Sequence, residues 1–296
     1  MRLQAIILQV IFLVFFISFS GCVRKPPCMK CALTQEQTGE KPDSPQETWR
    51  TFNIKVVQLY QQGQLKEATN AGVEALKFAK KSFGPDDLRV ATSLNNLGEL
   101  YRIQNNHSQA ETNYKQSLSI RKKSLGIDHP DVSLSLNNLA TLYVSQKKYP
   151  KAESLYKEAI KIIENQLGKD YIGLQSPLSN LAELYKLQGK YFDSELVFKR
   201  LLSIFEKANK KEESLYVKTL NDLATVYYMQ GKFNAAEPLF KETLSIVEKK
   251  FGKNHPETIV VLENMSELYK KLGRISEADA FAKKAKGIKE ANPLPS

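Results

Sequence analysis

Cysteine is almost absent from this chain of 296 residues. Its three cysteines, Cys22, Cys28 and Cys31, all lie near the N-terminus, and none follows them. A body without thiols suits an oxidising compartment. Glycine and proline are also scarce within the body, where they concentrate at regularly spaced joints.

The chain also lacks the residue patterns on which catalysis usually depends. Its three histidines include no pair at the spacing of a metal site, and no glycine-rich phosphate loop is present. No arrangement of serine, histidine and aspartate indicates a hydrolase, and no pair of carboxylates is set apart for acid–base chemistry. These absences predict a protein that is not an enzyme and that has neither a metal nor a cofactor.

The N-terminal segment has the composition of an export signal. Arg2 supplies positive charge, residues 3–19 are largely apolar, and small residues at 20 and 21 precede Cys22. A basic start, an apolar stretch and small residues before a break describe a secretory signal. An uncleaved membrane anchor is the alternative, because the apolar run is at the lower limit of a membrane span.

Ser-Gly-Cys at 20–22 resembles the end of a bacterial lipoprotein signal, although Phe19 stands where that family usually has leucine. The resemblance implies that residues 1–21 are removed and that Cys22 carries the lipid. Several acyl chains, palmitate among them, would give stable anchoring. Val23 replaces the aspartate that retains such proteins at the inner membrane, which implies a cell-envelope protein on the outer membrane facing the periplasm.

Residues 22–47 are rich in proline and polar side chains, and this composition predicts a flexible tether. Cys28 and Cys31 form a C-x-x-C motif within it. Such a motif can be redox-active, metal-binding, disulfide-paired or idle. Haem attachment would need histidine at 32, where the chain has alanine.

The body repeats one pattern every 42 residues without insertion from 52 to 286. Two columns of this repeat accept only small side chains. The first contains Ala68, Ala110, Ala152, Ser194, Ala236 and Ala278, and the second contains Gly98, Ala140, Ala182, Ala224 and Ser266. Self-similarity at a fixed period predicts a solenoid of stacked units.

Each unit has the pattern of two helices. In the second unit, Leu94, Leu97 and Tyr101 share one helix face. Asparagines or glycines then break the helix before a second apolar stripe begins. Gly126 can stop that second helix in a left-handed conformation, and Pro130 suits the first turn of the next. His129 and His255 recur at equivalent joints, which predicts a structural role.

Leu-Asn-Asn-Leu-Ala at 136–140 and the joints at 125–131 and 251–257 resemble tetratricopeptide repeats, specifically the long variety of kinesin light chain. The resemblance implies an all-α fold, a right-handed superhelical solenoid of about six helix-turn-helix units. We expect the array over residues 48–290 and a tail over 291–296.

In that family, the first helices of the units line a groove that holds an extended peptide or a partner helix. The corresponding polar positions predict a binding surface, which we call the groove face: Asn95, Asn96, Arg102, Asn137, Asn138, Thr141, Asn180, Lys186, Asn221 and Asn264. An amide both donates and accepts, so it can pair with any extended backbone. Asparagine is a mediocre helix former, so we expect alanine there to leave the fold intact.

These features together predict an extracytoplasmic scaffold or adaptor, anchored to a membrane, that binds peptide segments or protein partners. The balance of 43 basic against 32 acidic residues, a net charge of +11, leaves two alternatives. Nucleic-acid binding is one, but export argues against it, so no nucleic-acid partner is expected. The other is a basic surface that associates with anionic envelope polymers or lipids.

Overall fold

The computed structural model describes residues 44–292, which form twelve α-helices and one short 3-10 turn. The helices are α1 Pro45–Gln61, α2 Leu65–Phe83, α3 Leu88–Ile103, α4 His107–Leu125, α5 Pro130–Ser145, α6 Tyr149–Leu167, α7 Gln175–Leu187, α8 Tyr191–Lys207, α9 Ser214–Met229, α10 Phe233–Phe251, α11 Glu257–Lys271 and α12 Ile275–Ala291. The predicted all-α fold of helix pairs is confirmed. Among these helices, none has the length and apolarity needed to cross a membrane.

The predicted signal peptide, lipidated Cys22 and the C-x-x-C motif all lie outside the described residues. The first helix begins at Pro45, inside the range predicted as tether, because Ser44 caps it. The Ser44 hydroxyl accepts a hydrogen bond from the Glu47 N–H at 3.3 Å. Proline then occupies the first helical position, where its missing N–H has no partner to lose.

The chain divides into two compact units, whose described parts are residues 44–181 and 182–292. The boundary falls inside α7. Within each unit, a helix packs mainly against the helices that precede and follow it along the chain. This neighbour-only packing is the property that defines a solenoid.

The small columns let the two helices of a pair approach closely. A Cβ atom added to Gly98 in α3 would lie 2.7 Å from the Tyr114 ring in α4. Where serine replaces alanine, its hydroxyl bonds across the pair: Ser194 donates to the Ala182 carbonyl and Ser266 to the Ala278 carbonyl, both at 2.9 Å. The small columns therefore set the spacing of the two helices.

The joints between units follow the predicted turn chemistry. Helix α4 ends before Gly126, which has a φ of 87°, and α5 begins at Pro130. His129 caps α5, since its Nδ1 accepts the Asp131 N–H at 3.1 Å. His255 Nδ1 accepts the Glu257 N–H at 3.2 Å in the same way, which confirms the structural role of these histidines.

Replacing Gly98 with leucine should destabilise the helix pair α3–α4, because the Tyr114 ring already occupies the space that the side chain needs. Overpacking of this kind costs about 1–3 kcal/mol. The matched control is Gly287→Leu in α12, where no atom beyond the adjacent residues and the backbone of its own helix turn lies within 4 Å of the added Cβ. That variant should be unchanged or slightly more stable, since leucine is the better helix former.

Urea unfolding measures both stabilities, and amide hydrogen exchange locates the loss. We expect Gly98→Leu to lower protection in α3, α4 and their neighbours, while the remote helices keep theirs. Uniform loss of protection over all helices would argue against a solenoid.

Candidate protein-binding groove

The predicted groove residues lie on the first helices of the units, α3, α5, α7, α9 and α11. They are not freely exposed. Asn95, Asn96 and Asn137 are only 2%, 6% and 5% exposed, and the remaining asparagines of the set are half-buried. Their amides must therefore find partners within the protein.

The asparagines bind one another between successive first helices, in an arrangement that we call the amide ladder. In each bond the side-chain Nδ2 of one asparagine donates to the Oδ1 of another. In the unit of residues 44–181, Asn96 donates to Asn53 at 3.0 Å, Asn138 to Asn95 at 2.8 Å and Asn180 to Asn137 at 3.0 Å. In the other unit, Asn264 donates to Asn221 at 3.1 Å. Each bond joins residues 43 positions apart and thus links one repeat to the next.

The amide ladder changes the expectation that alanine would be tolerated. Removing Asn138 would leave the buried Asn95 oxygen without its donor, and an unsatisfied buried acceptor is costly. The ladder uses only one amide hydrogen of Asn138. The carbonyl oxygen and the second hydrogen of this half-buried side chain can still meet a ligand.

Arg102 belongs to an ionic cluster beside the ladder. Its Nη2 and Nε bind the two oxygens of Glu99 at 2.7 and 2.8 Å, and the Tyr114 hydroxyl donates to the same carboxylate at 2.8 Å. Burial alone would raise the pKa of Glu99, but hydrogen bonds from Arg102 and Tyr114 hold that pKa below its ordinary value. The carboxylate therefore stays ionised and its ion pair stays intact at neutral pH.

Lys186 lies in a second ionic cluster, within residues 182–292. Its ammonium group lies 2.8 Å from both Glu183 and Asp222, and Lys218 binds the same two carboxylates. Asp222 occupies a column that holds asparagine in other repeats, and its side chain is only 2% exposed. Burial would raise the pKa of Glu183, yet Lys218 and Lys186 bring it below its ordinary value.

Thr141 takes the position of Glu99 in the next repeat, and no charge is present there. Its hydroxyl lies 3.0 Å from the Tyr156 hydroxyl. Burial raises the pKa of Tyr156 to about 12, so this phenol stays protonated. The groove face at Thr141 is thus polar and uncharged.

Charged and neutral pairs alternate along the first helices. At one pair of columns, three positions apart, the successive repeats carry Val57 and Tyr60, Glu99 and Arg102, Thr141 and Val144, Glu183 and Lys186, Thr225 and Tyr228, and Glu267 and Lys270. The three charged pairs are ion-paired, at 2.7, 2.8 and 2.7 Å. The alternation has a period of two repeats and is visible in the sequence.

Other contributors to the site were missed for different reasons. Asn53 lies 42 residues before Asn95, so its column could have been found from the period. Tyr114 and Tyr156 share an aromatic column, which predicts a core position but does not show where the hydroxyl lies. Lys218 lies in a column of unlike residues, so no pattern marked it.

The chain matches the tetratricopeptide repeat family over residues 50–123, 109–165, 131–207, 173–249 and 216–291. These overlapping matches span nearly all of the described helices, and the chain belongs to this family. No curated protein sequence matches it significantly.

Solved structures place the fold among proteins similar to kinesin light chain, as the long repeats predicted. BtubC (BKLC) from P. vanneervenii has a TM-score of 0.69 at 22% identity, over 78% of this chain and 95% of that one. A putative kinesin light chain from Podosopora anserina has a TM-score of 0.60 at 20% identity, over 71% of this chain and 99% of that one. PilF of Pseudomonas aeruginosa has a TM-score of 0.58 at 15% identity, over 85% of this chain and 95% of that one. At these identities the likeness is one of fold alone.

Asn138→Ala should destabilise the protein by about 1–3 kcal/mol, the usual effect of leaving a buried polar group unsatisfied. In a cycle with Asn95→Ala, the second substitution should recover part of that loss, with a coupling of about 0.5–1.5 kcal/mol. The control is Asn165→Ala, at an exposed position in α6, which should change stability by less than about 0.5 kcal/mol.

Urea unfolding of the four proteins in the cycle gives the coupling directly. Strict additivity of the Asn95 and Asn138 substitutions would mean that their bond contributes nothing to the fold.

Proposed function

We propose that this protein is an extracytoplasmic, membrane-anchored tetratricopeptide scaffold, and that its groove face binds a peptide segment or a protein partner. The observation that carries this proposal is the amide ladder. It holds half-buried asparagines in fixed orientations on successive first helices, each with hydrogen-bonding capacity left over. Fixed amides of this kind can bind a polypeptide backbone without first losing side-chain freedom.

The alternating pairs make the groove face selective. Arg102 and Lys186 are already neutralised by Glu99 and Glu183, so they favour a ligand with dipoles or paired charges over one of a single charge. The neutral pair of Thr141 and Val144 offers a hydroxyl and an apolar surface instead. A peptide segment with mixed polar and apolar side chains fits this surface better than a uniformly charged polymer.

Internal neutralisation of charge also weighs against a basic outer surface as the main binding site. Several of the lysines that contribute to the net charge are ion-paired: Lys122 with Glu158, Lys123 with Asp86 and Lys249 with Glu212. Ion pairs of this kind reduce the field available to an anionic polymer. Binding in the groove, without catalysis or nucleic acid, is therefore the function that we propose.

Anchoring at Cys22 is the second half of the proposal. Its support is the Ser-Gly-Cys sequence at 20–22 after an apolar run. A lipidated Cys22 followed by a proline-rich segment would hold the repeats near a membrane of the cell envelope, where the scaffold could recruit its partner.

Val144→Arg should weaken partner binding by about tenfold or more, because a long charged side chain would enter a neutral part of the groove face. The matched control places the same side chain outside the groove, as Ser154→Arg at an exposed position of α6. A third protein carries Lys77→Glu, Lys81→Glu and Lys161→Glu, all on second helices. Quantitative pull-downs from membrane extracts compare the three with wild type.

We expect only Val144→Arg to lose the partner while remaining folded by circular dichroism. If the lysine variant loses it and Val144→Arg keeps it, the groove proposal fails and the basic surface takes its place.

Cys22→Ser should release the protein from membranes or leave an unprocessed precursor, because the thiol that receives the lipid is gone. Cys28→Ser is the control, since that thiol lies beyond the proposed processing site. Membrane fractionation and intact mass measure both outcomes. An unchanged mass and unchanged fractionation of Cys22→Ser would eliminate the lipoprotein proposal.

A further inference from the structure

Helix α8 carries two apolar side chains that the fold leaves in solvent. Phe192 is 76% exposed and Leu196 is 70% exposed, the two highest values among large apolar residues of the described chain. They are four residues apart on one helix and therefore share a face. We call them the apolar pair.

The repeat itself does not require these side chains. The column of Phe192 otherwise holds Lys66, Ser108, Pro150, Asn234 and Ser276, and the column of Leu196 holds Asn70, Thr112, Ser154, Pro238 and Ala280. No other repeat has a large apolar residue in either column. The apolar pair is thus a local feature of this repeat and not part of the packing that builds the array.

Basic side chains surround the apolar pair. Lys232 lies 5.1 Å from the centre of the Phe192 ring and 2.8 Å from Glu195, and Lys199 also binds Glu195 at 2.6 Å. One carboxylate therefore serves two cations. Two ammonium groups beside one carboxylate leave this cluster of Lys199, Lys232 and Glu195 with a net positive charge.

We propose that the apolar pair is a membrane-docking site for an anionic lipid surface. An aromatic and an aliphatic side chain can enter the boundary between headgroups and acyl chains, while neighbouring lysines keep their ammonium groups among the phosphates. A stable protein interface needs about 800 Å² from each partner, built from some 20 residues, and two side chains fall far short of it.

This inference goes beyond the groove proposal and does not depend on lipid at Cys22. If that lipid is present, it would hold the body near the bilayer and turn a weak second contact into an effectively intramolecular one. Weak docking by two side chains would then be enough to orient residues 182–292 at the surface.

The test uses the full chain with Phe192→Trp, bound to vesicles of phosphatidylglycerol and phosphatidylcholine that contain brominated lipid. The matched control is Ser276→Trp, in the equivalent exposed column of α12. Trp49 is the chain's own tryptophan and contributes the same background to both. We expect tryptophan at 192 to shift to the blue and to be quenched several-fold more strongly than tryptophan at 276.

Adding Leu196→Asn to Phe192→Trp should reduce this quenching, because one of the two apolar side chains is then lost. Asparagine is chosen because the first repeat has it in that column. Phosphatidylcholine alone should also reduce the quenching. Equal quenching at 192 and 276 would overturn the proposal. So would a concentration-dependent self-association, without vesicles, that Phe192→Ser with Leu196→Ser abolishes, since the pair would then bind a second copy.

Discussion

The buried amides of the first helices impose the constraint on which the other features depend. Asn95 is almost fully buried, and its oxygen is satisfied by the Asn138 amide of the next repeat. A polar group in that position requires a partner at a fixed distance, so successive first helices must keep one register. The small columns set the spacing of the two helices within a pair. At Gly98, for example, the Tyr114 ring leaves no room for a larger residue.

The same bonds that hold the repeats together would also prepare the proposed groove face for a ligand. Asn138 uses one amide hydrogen in the ladder, so the side chain is held still while its oxygen remains available. The ionic cluster around Glu99 is likewise satisfied internally and does not need a ligand for stability. A surface of this kind binds through oriented dipoles and shape, with little loss of side-chain entropy.

Much of the fold could be predicted from the sequence, because a 42-residue period aligns many positions at once. The turn at Gly126 and the start of α5 at Pro130 followed from local backbone chemistry, and the structural histidines followed from their recurrence at equivalent joints. The contacts of the groove face were harder to predict. A column shows which residues share a position, but it does not show which column faces which, so the bond from Asn138 to Asn95 was not foreseen.

Crosslinking in intact cells tests most directly whether the groove face holds a protein partner. A photoreactive amino acid replaces Thr141 on the groove face or, as a control, exposed Glu158 on the second helix α6. We expect a discrete crosslinked protein from position 141 and none of that mass from position 158. The same product from both positions, or none from position 141 in cells that contain the folded protein, would contradict it.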